Sequence, residues 1–158
     1  MKTFAALRET YPVFRFHAYD LTLAEKTVEI TYHFEIAGLA AFAPHWSFPR
    51  GTAAVTADDP TLRRLAFSLG MVELVSYWKL CCCPRVEILA GALDDAQCAW
   101  WKRLYFHGLG EFFYRNGITP DADSFMELVS CGEPIAGASV PTPKNGCLVP
   151  IGGGKDSA

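Results

Sequence analysis

The run Gly152-Gly153-Gly154-Lys155-Asp156-Ser157 carries the clearest chemistry in the sequence. Glycines let a backbone turn back through positive φ and bring its amides up to an anion with no Cβ in the way. The apolar run in front of it, Cys147-Leu148-Val149-Pro150-Ile151, reads as a strand suited to the centre of a parallel sheet, although Pro150 is awkward there. A helix starting after Ser157 would aim its free N–H groups and its dipole at the same anion. Lys155 adds charge, Ser157 a hydroxyl donor, and Asp156 either caps that helix or helps hold a magnesium ion. Gly152, Gly153, Gly154, Lys155, Asp156 and Ser157 are therefore the candidate phosphate-binding residues. A glycine-rich turn without function is the competing reading, and the preceding strand weighs against it.

The spacing is too short for the G-x-x-x-x-G-K-[ST] loop, and Asp156 separates the lysine from the serine. The segment resembles instead the pyrophosphate loop of the ATP pyrophosphatase superfamily, usually S-G-G-x-D-S. It departs from that pattern at Gly152, where the serine hydroxyl is missing. The resemblance implies ATP and Mg2+ as cofactors, with ATP cleaved between its α and β phosphates.

Two further segments precede the loop, Gly70 to Lys79 (GMVELVSYWK) and Leu104 to Gly117 (LYFHGLGEFFYRNG). With the FRFHAYD segment, Phe14 to Asp20, they resemble the UDP-N-acetylmuramoyl-L-alanyl-L-glutamate epimerase family of peptidoglycan biosynthesis. The resemblance implies inversion of the terminal L-glutamate of UDP-MurNAc-L-Ala-L-Glu. The proton beside a carboxylate is very weakly acidic, because its removal places two negative charges on adjacent atoms. Converting the carboxylate to an acyl-adenylate makes the carbonyl an electron sink, and a base and an acid can then exchange the proton across the two faces. The matching positions imply Lys79, His107 and Glu111 as catalytic candidates, with Tyr77, Tyr114, Arg115 and Asn116 lining the site. Each has a plainer account. Lys79 complements a helix carboxyl end, Asn116 terminates a helix, and a histidine among Tyr105, Phe106 and Leu109 is often structural. His107 and Glu111 are one helical turn apart and share a face, as an acid/base pair or as peptide contacts.

These residues need elements to hold them. Tyr11 to Tyr19 and Val28 to Ile36 read as strands, the second alternating Val28, Ile30, Tyr32, Phe34 and Ile36 with polar residues. Asp20 to Lys26 reads as the hairpin loop between them. A short strand near Trp46 and Phe48 is fragmented by Pro44, Pro49 and Gly51. Asp58-Asp59-Pro60 starts a helix that runs to about Leu80, with Leu62, Leu65, Leu69, Val72 and Val75 at helical spacing. Val86, Ile88 and Leu89 suggest another strand. A second helix runs from Asp94-Asp95 through Trp101 to Asn116-Gly117, with Trp100 and Trp101 packing core or an interdomain face. Cys131 to Gly146 is rich in proline and glycine and reads as a linker. The expected organisation is an α+β domain over residues 1–130, with antiparallel strands and two main helices. A linker over 131–145 follows, then the first strand and loop of an incomplete α/β domain over 146–158.

Composition narrows the partners. With 158 residues, 51% hydrophobic residues and 20% charged residues, the chain has one globular core. The net charge of −3 is spread without a basic stripe, so no nucleic-acid partner is expected. No signal peptide and no membrane-length apolar run are read, which suits a cytoplasmic enzyme acting on a UDP-MurNAc-dipeptide. Cys81, Cys82 and Cys83 are consecutive, while Cys98, Cys131 and Cys147 are scattered. No cysteine or histidine spacing matches a zinc site, so no structural metal is expected and the thiols are expected reduced. Another ATP pyrophosphatase of the amidotransferase or ligase type, or a non-catalytic binding domain, are the alternatives. Because the loop lacks its following helix, the 158-residue chain reads as an amino-terminal fragment that binds ATP weakly or not at all by itself.

Overall fold

A computed structural model of the protein describes residues 3–51 and 55–137, so the strand and glycine loop at 147–157 lie outside the described residues. Helix α1 (Phe4–Thr10) leads into strands β1 (Val13–Leu23), β2 (Thr27–Ile36), β3 (Ala40–Phe42) and β4 (His45–Pro49). Helix α2 (Pro60–Trp78), strand β5 (Arg85–Ile88), helices α3 (Asp95–Gly108) and α4 (Gly110–Arg115), and strand β6 (Glu127–Ser130) follow.

The six strands form one sheet in the order β3-β2-β1-β5-β6, with β4 pairing the same edge of β2 as β3. The β1–β2 hairpin is antiparallel. β5 and β6 join it in parallel, so the α+β class holds while the sheet is mixed rather than wholly antiparallel. Parallel neighbours need a crossover, and α2 and α3 supply it. The hairpin loop is tighter than Asp20 to Lys26 suggests, because β1 continues to Leu23 with Leu21 and Leu23 packed against the core. The Trp46–Phe48 strand forms, and Pro44 marks the step between β3 and β4.

The alternation in β2 is complete: Val28, Ile30, Tyr32, Phe34 and Ile36 are buried while the residues between them are not. They face α2, whose Ala66, Phe67, Gly70, Met71, Leu74 and Trp78 are buried. The hydroxyl of Tyr32 donates to the Ala66 carbonyl at 2.9 Å, and the Trp78 indole N–H to the Cys83 carbonyl at 2.8 Å, so both large rings are buried without an orphaned polar atom. Full burial of each such side chain contributes roughly 1.5–3 kcal/mol. Asp59 caps α2 by accepting from the Leu62 amide at 2.9 Å, with Pro60 in the first turn as the sequence suggests. Asp94 and Gln97 form a capping box at the start of α3.

The expected long second helix is two helices. It breaks at Leu109, which is 1% exposed and flanked by Gly108 and Gly110. Gly117 then takes φ 63°, the left-handed stop its Asn-Gly setting predicts. The first residues of the proline- and glycine-rich stretch lie against the domain. The Ala92 amide donates to the Glu133 carbonyl at 2.9 Å, and Arg64 Nη2 to the Ile135 carbonyl at 2.9 Å. Cys81, Cys82 and Cys83 are all buried.

Candidate functional site

All the helices after β4 lie over one face of the sheet, and two of them bring the chemistry-bearing segments together. The Tyr105 hydroxyl, from the second segment, donates to the Met71 carbonyl of the first at 2.6 Å in the core. This pins α3 beside α2. Below that contact, Lys79 at the end of α2 shares a groove of about 520 Å3 with Gly108, Glu111, Phe112, Arg115 and Asn116. Lys79 is the C-cap of α2, with its backbone amide bonded back into the helix and its side chain exposed. Glu111 is held by Arg115 at 3.2 Å across one turn of α4. Both side chains are more than two-thirds exposed, so this pair contributes little to stability and leaves both charges open to a ligand. Asn116 donates to the Phe112 carbonyl at 2.8 Å, closing α4 as well as lining the groove.

His107 is placed differently. The turn at Leu109 falls between His107 and Glu111, and the two side chains line different hollows. His107 lines a neighbouring hollow of about 490 Å3 with Ala99, Lys102, Arg103, Phe106, Ala122 and Asp123. Its ring lies edge-on to Phe106 at 5.6 Å between centroids. The two hollows adjoin where His107 is followed by Gly108. The structure thus gathers Lys79, Glu111, Arg115 and Asn116, with His107 next to them rather than among them. Gly152, Gly153, Gly154, Lys155, Asp156 and Ser157 lie outside the described residues.

Tyr77 is not a free site residue. Its ring packs on Phe34 at 5.5 Å and Phe42 at 4.9 Å, and burial together with Glu73 pushes its hydroxyl pKa up. Tyr114 is 87% exposed. Trp101 is buried, and Trp100 stands edge-on to it at 4.8 Å and half exposed. Glu73 was not singled out by the sequence, yet it lies inside the GMVELVSYWK segment. It is the one carboxyl among the described residues pushed above its ordinary range, and burial is the cause. Its position between Gly70 and Tyr77 on a half-buried side of α2 is the signal that could have found it.

The sheet face turned away from the helices is polar, and three of its features were not anticipated. His17 meets Glu35 at 2.8 Å, His33 meets Asp20 at 2.7 Å, and His45 meets Glu29 at 2.8 Å. Arg15 bridges Glu35 at 3.2 Å and Glu87 at 2.9 Å, and Arg85 carries the ladder on from Glu87 to Glu127. Hydrogen bonds first from His17 and then from Arg15 hold the Glu35 carboxyl below the usual range. His17 also sits at a bulge in β1, where the register with β2 shifts between Phe16 and Ala18. With Tyr19, Arg63 and Glu133 it lines a crevice at the carboxyl ends of the parallel strands. Among the described residues no three histidine, cysteine or acidic side chains converge as a metal site, and no helix is long and apolar enough to cross a membrane.

Comparison with known proteins identifies a family. The family described as the MurL N-terminal domain matches residues 5–158. A curated relative, the UDP-N-acetyl-alpha-D-muramoyl-L-alanyl-L-glutamate epimerase of Xanthomonas oryzae pv. oryzae (strain MAFF 311018), is 34% identical over 114 residues. Those residues are 72% of this chain and 24% of the relative, so the chain spans about a quarter of the relative's length. No solved structure matches the chain.

Proposed function

The chain belongs to the MurL N-terminal domain family, and from that premise we propose that it is the substrate-side part of an enzyme inverting the terminal L-glutamate of UDP-MurNAc-L-Ala-L-Glu. In this reading the reaction serves peptidoglycan precursor synthesis in the cytoplasm. It uses ATP and Mg2+, and passes through an acyl-adenylate of the glutamate carboxylate. The observation that carries the proposal is the family match over residues 5–158. The meeting of the two resembling segments supports it, because Lys79 from one and Glu111, Arg115 and Asn116 from the other line a single groove.

The roles follow from charge and placement. Lys79 and Arg115 are cations that suit the carboxylates of a peptide ending in glutamate. Glu111, exposed beside them, suits proton exchange or contact with a peptide N–H. The described residues hold no acidic cluster fit for magnesium, so nucleotide chemistry would fall to the Gly152–Ser157 loop and to further chain of the kind the relative has.

The test is incubation of the full-length gene product with ATP, Mg2+ and the muramoyl dipeptide. AMP, pyrophosphate and D-glutamate in the hydrolysed product, all dependent on the dipeptide, are expected. ATP turnover driven by a different acid, with no change at glutamate, would move the protein to another ATP pyrophosphatase class.

A further inference from the structure

Among the described residues there are eight arginines, and seven of them are engaged. Arg8, Arg15, Arg50, Arg63, Arg64, Arg85 and Arg115 each hold a backbone carbonyl or a carboxylate. Arg103 holds neither, and its five donors on a rigid fork are turned to solvent, open to an incoming ligand. It is exposed on α3 and lines the hollow that contains His107. Four residues apart on one helix, Arg103 and His107 are face neighbours, with Cβ atoms about 6 Å apart. Among the described residues His107 likewise has no hydrogen-bond partner, only its edge contact with Phe106.

The rest of the hollow is built to hold these two groups open. Lys102 reaches across it, and its ammonium donates to the Asp123 carbonyl at 2.5 Å. That contact ties α3 to the 121–124 turn, which supplies the far wall through Ala122 and Asp123. Asp121 stiffens the turn by accepting from the Ser124 amide at 3.0 Å and the Ser124 hydroxyl at 2.8 Å. The lining is otherwise small or apolar, with Ala99 and Phe106. Lys102 and Arg103 are set against one acidic side chain, Asp123, so the hollow is locally positive in a protein of net charge −3.

We propose that this hollow is a binding site for the diphosphate of a nucleotide-linked ligand, with Arg103 as its principal donor and His107 as the second. A planar guanidinium matches phosphate oxygens in pairs, whereas the Lys102 ammonium acts as a tethered point charge. The site adjoins the Lys79–Glu111 groove at His107 and Gly108. In the proposed reading, a ligand carrying a diphosphate in its middle and a glutamate at its end would occupy both hollows. The identity of that ligand rests on the function proposed above, whereas the capture of a diphosphate does not.

The experiment is a titration of the 158-residue chain with UDP, ADP and inorganic pyrophosphate, followed by calorimetry and by amide resonances. Saturable binding of all three is expected, with shifts at Ala99, His107 and Ala122. Arg103→Gln is expected to weaken it about tenfold, at the low end for a charge-assisted hydrogen bond at an open site. Arg103→Lys should restore only part of the affinity. Both substitutions are on an exposed helix position, so unfolding curves matching the parent establish that the variants fold. Binding unchanged in Arg103→Gln, or no saturable binding of any of the three, overturns the site. UDP binding tenfold tighter than ADP or pyrophosphate would identify the uridine-linked substrate as the source. Arg103-dependent binding together with a full-length enzyme that inverts no glutamate would leave the site standing and remove the proposed reaction.

Discussion

Gly70 opens the GMVELVSYWK segment, and the structure gives it a packing role that can be tested quantitatively. It is buried in α2 where the helix presses on β1 and β2. A Cβ added there would stand 2.5 Å from Phe16 Cζ, 2.9 Å from Phe16 Cε1 and 2.7 Å from Tyr32 Cε1. Carbon pairs prefer about 3.5–4.0 Å, so neither ring can stay where it is. Nor can either retreat. Phe16 and Tyr32 are both 0% exposed, Phe16 stacks on Phe67 at 6.0 Å and meets Phe34 edge-on at 5.0 Å, and the Tyr32 hydroxyl is tied to Ala66. Relief therefore requires α2 to lift away from the sheet, loosening Phe67, Met71 and Leu74 together.

Overpacking of this kind costs about 1–3 kcal/mol, and the upper end applies where two fixed rings are struck at once. Replacing an interior helix glycine by alanine returns about 1 kcal/mol of helix propensity. Gly70→Ala should therefore destabilise the domain by about 2 kcal/mol, near 6 °C in Tm for a domain of this size. Urea unfolding followed by circular dichroism measures it. Gly108→Ala is the control, because an added Cβ there meets nothing within 4 Å, and that variant should be neutral or slightly more stable. If Gly70→Ala is as stable as the parent while Gly108→Ala behaves as stated, the close packing of α2 on the sheet is wrong.

Removing the α2 cap with Asp59→Ala leaves the Leu62 amide without its partner and should cost about 1 kcal/mol in the same urea assay; no loss would mean that the cap carries no weight. Hydrogen bonds hold Glu35 below the usual carboxylate range, chiefly from His17, and Glu87 likewise, chiefly from Arg85. Their folded pKa values lie under their unfolded ones, so the stabilisation is full above the unfolded value of about 4.3 and is lost as pH falls through the lowered folded values. Tm should thus fall steadily below about pH 4.5, and a Glu35→Gln, Glu87→Gln variant should show a shallower acid slope; an unchanged slope counts against the ladder. Burial pushes the Cys82 thiol up to about 11 and Cys83 to about 12, so iodoacetamide at pH 8 should label exposed Cys131 well before either, read by mass spectrometry. Labelling of Cys82 or Cys83 at the rate of Cys131 would mean that the 81–83 turn is open. In the reaction proposed for the full-length protein, Lys79→Ala or Glu111→Gln should lower kcat/KM by roughly 10–100-fold, the loss of one charge-assisted contact. An unchanged value would move the site elsewhere.

The parts of this fold legible in the sequence are those set by local chemistry. The period of two in β2, the Asp-Pro start of α2 and the Asn-Gly stop at Gly117 each depend on residues within a few positions of one another. What escaped depends on distant partners. β6 is a four-residue strand with no alternation of its own, and it exists because β5 offers it a parallel edge. α1 is fixed through Arg8, which donates to the carbonyls of Cys82 and Phe125 at 2.7 Å each. Nothing near Arg8 in sequence announces those carbonyls. The three histidine–carboxylate pairs are of the same kind, since each joins different strands or the two arms of a hairpin. The two resembling segments meet at the Lys79–Glu111 groove, whereas Arg103 lies outside both and carries no motif. Only the engagement of the other seven arginines makes it stand out.

The break at Leu109 divides the surroundings of His107 from those of Glu111. Apolar positions at Leu104, Leu109 and Phe112 sustain a helical period, which is why one helix is the natural reading of the segment. Gly108 and Gly110 weaken the backbone on either side, and Leu109 is drawn fully into the core with φ −93° and ψ 7°. The regular helix is interrupted there. His107 then opens beside Arg103, while Glu111 opens beside Lys79. An unbroken helix would put His107 and Glu111 on one face and merge their surroundings, with a single set of charges serving one end of a ligand. The interruption instead yields two adjoining hollows of different character, one set by Arg103 and Lys102 and the other by Lys79, Arg115 and Glu111. That division suits the proposed ligand, which carries two anionic groups apart along its length.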